Sequence, residues 1–412
     1  MSDAYIIDTC RTPRGIGKIG KGALADQHPQ HLAATVLKAL AERNQLDTAE
    51  VDDVIWGTST QRGKQGNDMA RMALLDAGYS HLASGVTLDR FCGSGITSVN
   101  LAAATVAAGF EDLVIAGGCE MMSYTASLAD PANPSMMDAG NLRLRRNVPQ
   151  SHQGVCADAI ATLEGIPRSA LYELALLSQQ RAAAAIEGGH FKRSLVPVYR
   201  EDGSLALDRE EFPRPQTTLE GLASLKPAFE VMAERVIDDQ GNTYAGLIRQ
   251  VFPELKINYV HHAGNSSGVV DGAGALLLAS GAYAKKRGLK PRARIVAMAN
   301  VGDSATLMLN APVPAARKVL AKAGLTVDDI DLWEINEAFA VVAEKFIRDL
   351  KLDRAKVNVN GGAMALGHPI GATGSLLIGT LLDELERRDL KRGLVTMCAA
   401  GGMAPAIIIE RV

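Results

Sequence analysis

Leu46-Asp47-Thr48-Ala49-Glu50-Val51-Asp52-Asp53-Val54-Ile55-Trp56-Gly57 and Leu325-Thr326-Val327-Asp328-Asp329-Ile330-Asp331-Leu332-Trp333-Glu334-Ile335-Asn336 decide how the chain is read. The positions of Leu46, Val51, Asp52 and Gly57 return without a gap as Leu325, Ile330, Asp331 and Asn336. Each run has the pattern of a helix end, an acidic turn and an apolar strand, as expected of one supersecondary unit used twice. A match this short also arises by chance, so it supports a duplicated core without establishing one.

Around the first run, segments 5–8, 51–57, 85–89 and 113–117 are strand-like, while 31–43, 68–77 and 92–109 are helix-like. The same rhythm returns after Pro291, with strand-like 293–300, 332–335, 394–398 and 406–410 and helix-like 313–323, 336–350 and 371–388. Strands alternating with helices imply a parallel or mixed sheet covered by helices. Between the halves, from Ser123 to about Lys256, composition shifts toward Pro, Gly, Met and charge, with helical patches such as 170–187. Long insertions of this kind commonly fold over a binding face.

A chain of 412 residues, 47% of them hydrophobic, exceeds the size at which one core stops growing. A formal net charge of -3 without clustered Lys and Arg points away from nucleic acid and from a membrane surface. Five cysteines, an odd number without close pairing, read as reduced thiols in a cytoplasmic setting. No signal-like N-terminus or bilayer-length apolar run is evident, so no membrane insertion is expected.

Four motifs bear on chemistry. In Asp89-Arg90-Phe91-Cys92-Gly93-Ser94-Gly95 a strand ends, a cysteine follows, and small residues open a helix. Free N–H groups and the helix dipole at such a place favour thiolate, which makes Cys92 the candidate nucleophile. A buried structural cysteine is the competing reading at roughly even odds, given the interior preference of free Cys. The glycine-dense stretch 360–374 holds His368 beside Pro369, where a rigid imidazole near a thiol can take its proton. An incidental His in a phosphate loop is the alternative, weakened by the missing Walker Lys. Cys398, before Ala399-Ala400-Gly401-Gly402, reads by itself as a core cysteine, and Asn336 by itself as a helix N-cap.

Taken together with Gly117–Ser123, Arg214–Glu220, Lys226–Phe229 and Ala263–Gly268, these motifs resemble the thiolase family along nearly the whole chain. The resemblance implies a duplicated, five-layered α-β-α-β-α core with an inserted loop domain. It divides the chain into 1–122 plus 257–283, a loop domain 123–256, and 284–412. It also implies CoA-dependent cleavage of a 3-ketoacyl-CoA, or the reverse condensation, through an acyl-enzyme on Cys92, with His368 as its base and Cys398 as second acid/base. Asn336, through a water, and His368 would form one oxyanion hole, and the backbone N–H groups of Cys92 and Ala400 the other. His152, Phe229, Ala263, Ser267, Ala338 and Phe339 would line the pantetheine tunnel, with phosphates near Lys192, Arg193, Arg214 or Lys226. Coenzyme A and acyl-CoA are then substrates, no cofactor or metal is needed, and a homodimer or homotetramer is expected.

The chain departs from the family at Ala400, where Gly is common, at Gln153, and in a long segment, Glu230 to Val260, between Phe229 and His262. That segment either reshapes the acyl pocket toward a bulky substrate or is a surface excursion. His261-His262 lacks a third ligand at metal spacing and reads as structural. A ketoacyl synthase-like condensing enzyme and a non-catalytic acyl-CoA-binding protein are the rival readings. The first pairs its cysteine with different His or Asn partners, and the second has no use for all four side chains.

Overall fold

A computed structural model describes residues 3–128 and 136–412. The strands are β1 (Ala4–Arg11), β2 (Asp53–Gly57), β3 (Ser84–Leu88), β4 (Leu113–Met121), β5 (Val270–Ser280), β6 (Ala293–Gly302), β7 (Leu332–Ile335), β8 (Arg392–Thr396) and β9 (Met403–Arg411). They run in the order β7-β8-β9-β6-β1-β5-β4-β2-β3. Within the sheet the two halves join through a short antiparallel seam, Tyr5 opposite Arg294 and Ile6 opposite Ala293.

The halves are copies. β2 lies parallel to β4, then β4–β5 and β5–β1 are antiparallel. Correspondingly, β7 lies parallel to β8, then β8–β9 and β9–β6 are antiparallel. The acidic turn does the same work twice. Asp52 accepts from Asp112 N and Leu113 N at 2.8 and 3.0 Å, while Asp331 accepts from Lys391 N and Arg392 N at 2.9 and 2.8 Å. Each carboxylate thereby caps the start of its neighbouring strand, β4 or β8. The separation that relates Asp52 to Asp331 also relates Cys119 to Cys398.

Helices complete five layers. α1 (Pro29–Asn44) and α2 (Met69–Asp76) cover the outer face of the first half. α3 (Ser94–Ala108) and α9 (Thr373–Arg387) lie side by side between the halves. α7 (Pro312–Ala323) and α8 (Ala340–Leu350) cover the second half, and α8 carries α4 (Gln153–Leu163) and α5 (Arg168–Glu187) of the insertion. The stretch Phe91–Ala108 does reach bilayer length and hydropathy, contrary to the reading of the sequence. It is mostly α3, most of which is buried in the middle layer, as a core helix should be.

The middle helices start at equivalent repeat positions, Ser94 and Thr373, and touch there. A Cβ on Gly95 would come within 2.8 Å of Ser375 N, and one on Gly374 within 2.1 Å of Ile96 N. Only glycine permits this approach. It brings the Cys92 turn against the His368 loop, although the two are far apart in sequence.

One expected element begins late. Segment 336–339 is not helical; α8 starts at Ala340, capped by extended Phe339, so Asn336 is no N-cap. Ser267 N donates to Ala338 O at 2.9 Å, and Phe339 forms an isolated antiparallel bridge with Ser266, which holds this stretch out of the helix. The buried Glu337 carboxylate, accepting from Ser178 Oγ, Asn358 Nδ2 and Met364 N, fixes it there.

Candidate active site

Cys92 sits in a turn built to present it. Phe91 takes the left-handed φ of +49°, an uncommon conformation for a bulky residue that marks a functional turn. Asp89 Oδ1 accepts from Phe91 N at 2.6 Å, and Ser94 Oγ both accepts from Arg90 N and donates to Phe91 O. The turn is thus locked from its own side chains. Glycine at 93 allows close approach on the other flank, since a Cβ there would meet Pro405 at 2.9 Å and Ala399 Cβ at 3.4 Å. The Cys398 hairpin therefore abuts the Cys92 turn.

That hairpin is closed by Ala399 N to Met403 O at 2.7 Å and Met403 N to Ala399 O at 3.1 Å. Ala400 stands at its head, and Gly401 and Gly402, with φ of +77° and +78°, complete it. Cys398 is buried, and Cys92 lies close enough to disfavour charge on it.

His368 is buried at 5% exposure, and its ring is oriented. Thr373 Oγ1 donates to Pro369 O at 3.0 Å, so its one proton is committed. Its 2.5 Å contact with His368 Nδ1 is satisfied by a proton on Nδ1. That tautomer puts the lone pair on Nε2, which is buried and has no partner among the described residues. Asn336 is likewise buried, and both polar atoms of its side chain are unpartnered. Unsatisfied buried amides are costly and scarce, and those found commonly await a water or ligand.

The electrostatics correct the thiolate expectation. Burial, followed by the nearby Glu120 and Asp89 carboxylates, pushes the Cys92 thiol up to about 12. Burial also lifts Cys398, while burial and Arg14 lower His368 to about 4. Desolvation here outweighs the helix terminus. The resting site holds neutral thiols beside a neutral, proton-accepting imidazole.

Glu120, within the Gly117–Ser123 motif, buttresses the site although the sequence gives it no role by itself. Its buried carboxylate accepts from Ser59 N, Thr60 N, Gln65 Nε2 and Gly371 N at 2.8 to 3.0 Å. It thereby ties β4 to the His368 loop. Thr373 was within the quoted loop, and a hydroxyl one turn after a His was the only available signal.

The residues expected to hold coenzyme A fall into two connected groups. His152 caps α4, with its ring 5.7 Å from Phe229 and 5.5 Å from Tyr244, and Phe229 stands 5.9 Å from Phe339. Ser267 bonds Ala338, and Gly268 O accepts from His368 N at 2.9 Å, so this wall runs directly into the catalytic loop. Arg214, stacked on Phe212, and Ala263 line a cleft of about 200 Å³. Arg193 does not join them: it pairs with Glu386 and lines a different cleft with Asp8 and Arg292. His261 is held by Asp158 at 2.7 Å with both side chains fully buried, a structural pair.

Residues 4–236 match the family model described as thiolase, N-terminal domain, and residues 289–411 that described as thiolase, C-terminal domain. The chain is 39% identical to the acetyl-CoA acetyltransferase of Escherichia coli K12, with all of both chains covered. It is 40% identical to the beta-ketoadipyl-CoA thiolase of Pseudomonas aeruginosa, covering 100% of this chain and 99% of that one. The crystal structure of the Bacillus anthracis acetyl-CoA acetyltransferase superposes with a TM-score of 0.83 at 34% identity, over 100% of this chain and 99% of that one.

Proposed function

This chain belongs to the thiolase family and is an acyltransferase that cleaves or condenses acyl-CoA, and from that premise we propose that Cys92, His368, Cys398 and Asn336 carry the reaction. The observation that carries the assignment is the partnering of His368: Thr373 Oγ1 engages Nδ1, while the buried Nε2 has no partner among the described residues and is the atom free to take a proton. As the Cys92 sulfur attacks the 3-keto carbonyl, Nε2 accepts the thiol proton, so the nucleophile is made only when it is used. The carbon–carbon bond breaks toward the thioester α-carbon, and Cys398 delivers the proton that releases acetyl-CoA. Coenzyme A then attacks the acyl-sulfur carbonyl as its thiol proton passes to the Cys398 thiolate, and the His368 imidazolium returns its proton to the departing Cys92 sulfur, which restores the resting site.

Charge develops twice on oxygen. The unpartnered Asn336 amide, through a water, and His368 answer one site, and the backbone N–H groups of Cys92 and Ala400 the other. Donors of this kind are worth about 3 kcal/mol each in related sites. His152, Phe229, Ala263, Ser267, Ala338 and Phe339 hold the pantetheine arm, and Arg214 faces the nucleotide end. The Cys398 hairpin against the Cys92 turn weighs against a ketoacyl synthase-like chemistry, and the poised base weighs against a non-catalytic binder.

The acyl group is set where segment 230–260 meets His152. Tyr244, at the start of α6 (Tyr244–Arg249), packs on the His152 ring, and Ser151 Oγ donates to its carbonyl at 2.7 Å. Arg145, paired with both Asp138 and Asp238, clamps the segment from the other side. This placement supports a bulky acyl group over a surface excursion. A homodimer or homotetramer is supported by β3, which ends the sheet with Val86 46% exposed. Five free thiols fit a cytoplasmic setting. The test is CoA-dependent cleavage across 3-ketoacyl-CoAs: no cleavage of any of them rules the assignment out, and strict preference for acetoacetyl-CoA rules out the bulky group.

A further inference from the structure

The chain leaving β1 carries a buried ion cluster that no step above uses. Arg14 is 4% exposed, and Glu210, from the inserted segment, accepts from its N, Nε and Nη2 at 2.9, 3.3 and 3.2 Å. Arg11 reaches the same carboxylate at 2.6 Å. Two cations sharing one carboxylate leave the cluster net positive, and Arg14 spends its remaining Nη1 on the carbonyl of Gly367, at 3.4 Å.

Gly367 is the hinge into His368. Its φ is +92°, and a Cβ there would lie 2.4 Å from Val270, so the turn has a single geometry. The stem of Arg14 and the ring of Pro369 sit side by side over Gly272 of β5, within 3.5 and 3.2 Å of where its Cβ would be. His368 is thus flanked on both chain neighbours by contacts involving Arg14 or resting against it.

We propose that Arg14 is a positioning residue for His368, clamping the Gly367 turn, and that Glu210 holds the clamp, so that seating of the inserted segment governs the catalytic base. The inference rests on His368 being that base. The segment reinforces the same joint through Glu211, whose N donates to Arg14 O at 3.1 Å and whose carboxylate accepts from Ile16 N at 2.7 Å. The covering element is thereby connected to the turn beside His368 through the Arg14 guanidinium.

The charge of Arg14 acts in the same direction as its geometry, because a buried cation disfavours imidazolium. The charged groups around the ring are Arg14 with Glu210, Glu120 of β4 bound to Gly371 N, and Glu334 of β7 facing Arg14. Arg14 is the one whose field reaches His368 directly.

The experiment is the pH dependence of thiolysis by full-length Arg14→Met, Arg14→Lys and His368→Asn proteins, each checked for folding by thermal melt. For Arg14→Met the expected result is a kcat lower by about 10- to 100-fold, a KM for acyl-CoA within about twofold, and an acid limb moved upward by about one pH unit. An unmoved limb in the folded variant, or a KM that rises in step with the loss of kcat, overturns the proposal. Should Arg14→Met not fold, Arg14→Lys decides. Lysine keeps the charge but loses the fork, so a several-fold lower kcat at unchanged KM supports the clamp, and a wild-type kcat overturns it. His368→Asn separates the two levels, since activity in that variant removes the base itself and not merely its support.

Discussion

Thr373 Oγ1 stands between two partners, 2.5 Å from His368 Nδ1 and 3.0 Å from Pro369 O, and so fixes which nitrogen of the ring is engaged. Replacing Thr373 with Val removes this partner and lets the ring choose either tautomer. Acyl transfer is expected to fall by about tenfold or more, with Thr373→Ser close to wild type. The check is the pre-steady-state burst of enzyme acylation.

Asn336→Ala deletes an amide with no protein partner. Cleavage is expected to slow by about 10²- to 10³-fold, as for other oxyanion donors. Stability is expected to hold or rise, because a buried unsatisfied polar group is removed. Rate and thermal midpoint measured on one preparation separate the two effects.

Glu120→Gln replaces four acceptor contacts by an amide that must turn donors toward donors. A loss of about 2 to 3 kcal/mol is expected, measured by denaturant unfolding. The carboxylate also raises the Cys92 thiol, so in the folded variant thiol titration by alkylation is expected to move to lower pH.

The resting neutral pair has a pH signature. Nε2 must be unprotonated to act, so kcat/KM is expected to lose its acid limb only as pH falls toward about 4. The folded imidazole is depressed below its ordinary 6.5, so the unfolded chain binds the proton first on acidification. The stabilising contribution is complete above about 6.5 and is lost between there and 4. Stability that instead improves on acidification through this window contradicts the assignment.

Much of this was legible in the sequence because it depends on short-range grammar. The Cys92 turn, the His368 loop and the repeated acidic turn each lie within fifteen residues, and all three take the expected local form. β5 escaped notice because Val270–Ser280 is buried along its whole length and mixes small with apolar residues, so no period of two appears. The late start of α8 was hidden since Glu337 is fixed by Ser178, from the distant insertion. The charge state of Cys92 was misjudged for a related reason: a helix terminus is visible in sequence, whereas desolvation exists only once the halves have closed. Glu210 and Arg14 meet across most of the first half of the chain, with no spacing that marks them as partners.

Tyr244 tests the inserted segment. Tyr244→Ala opens the wall beside His152 and is expected to raise kcat/KM for acyl groups bulkier than the natural one, several-fold relative to acetoacetyl-CoA. A uniform loss across the panel would assign Tyr244 to packing alone.

The central claim is that the acyl group travels on the sulfur of Cys92. Mixing the enzyme with a 3-ketoacyl-CoA, quenching in acid and mapping peptides by mass spectrometry reads this directly. The expected result is one acyl group on the peptide bearing Cys92, discharged on adding coenzyme A and absent from Cys92→Ser. An acyl group found on Cys398 or elsewhere while Cys92 remains free, or a Cys92→Ser protein that still cleaves, contradicts it.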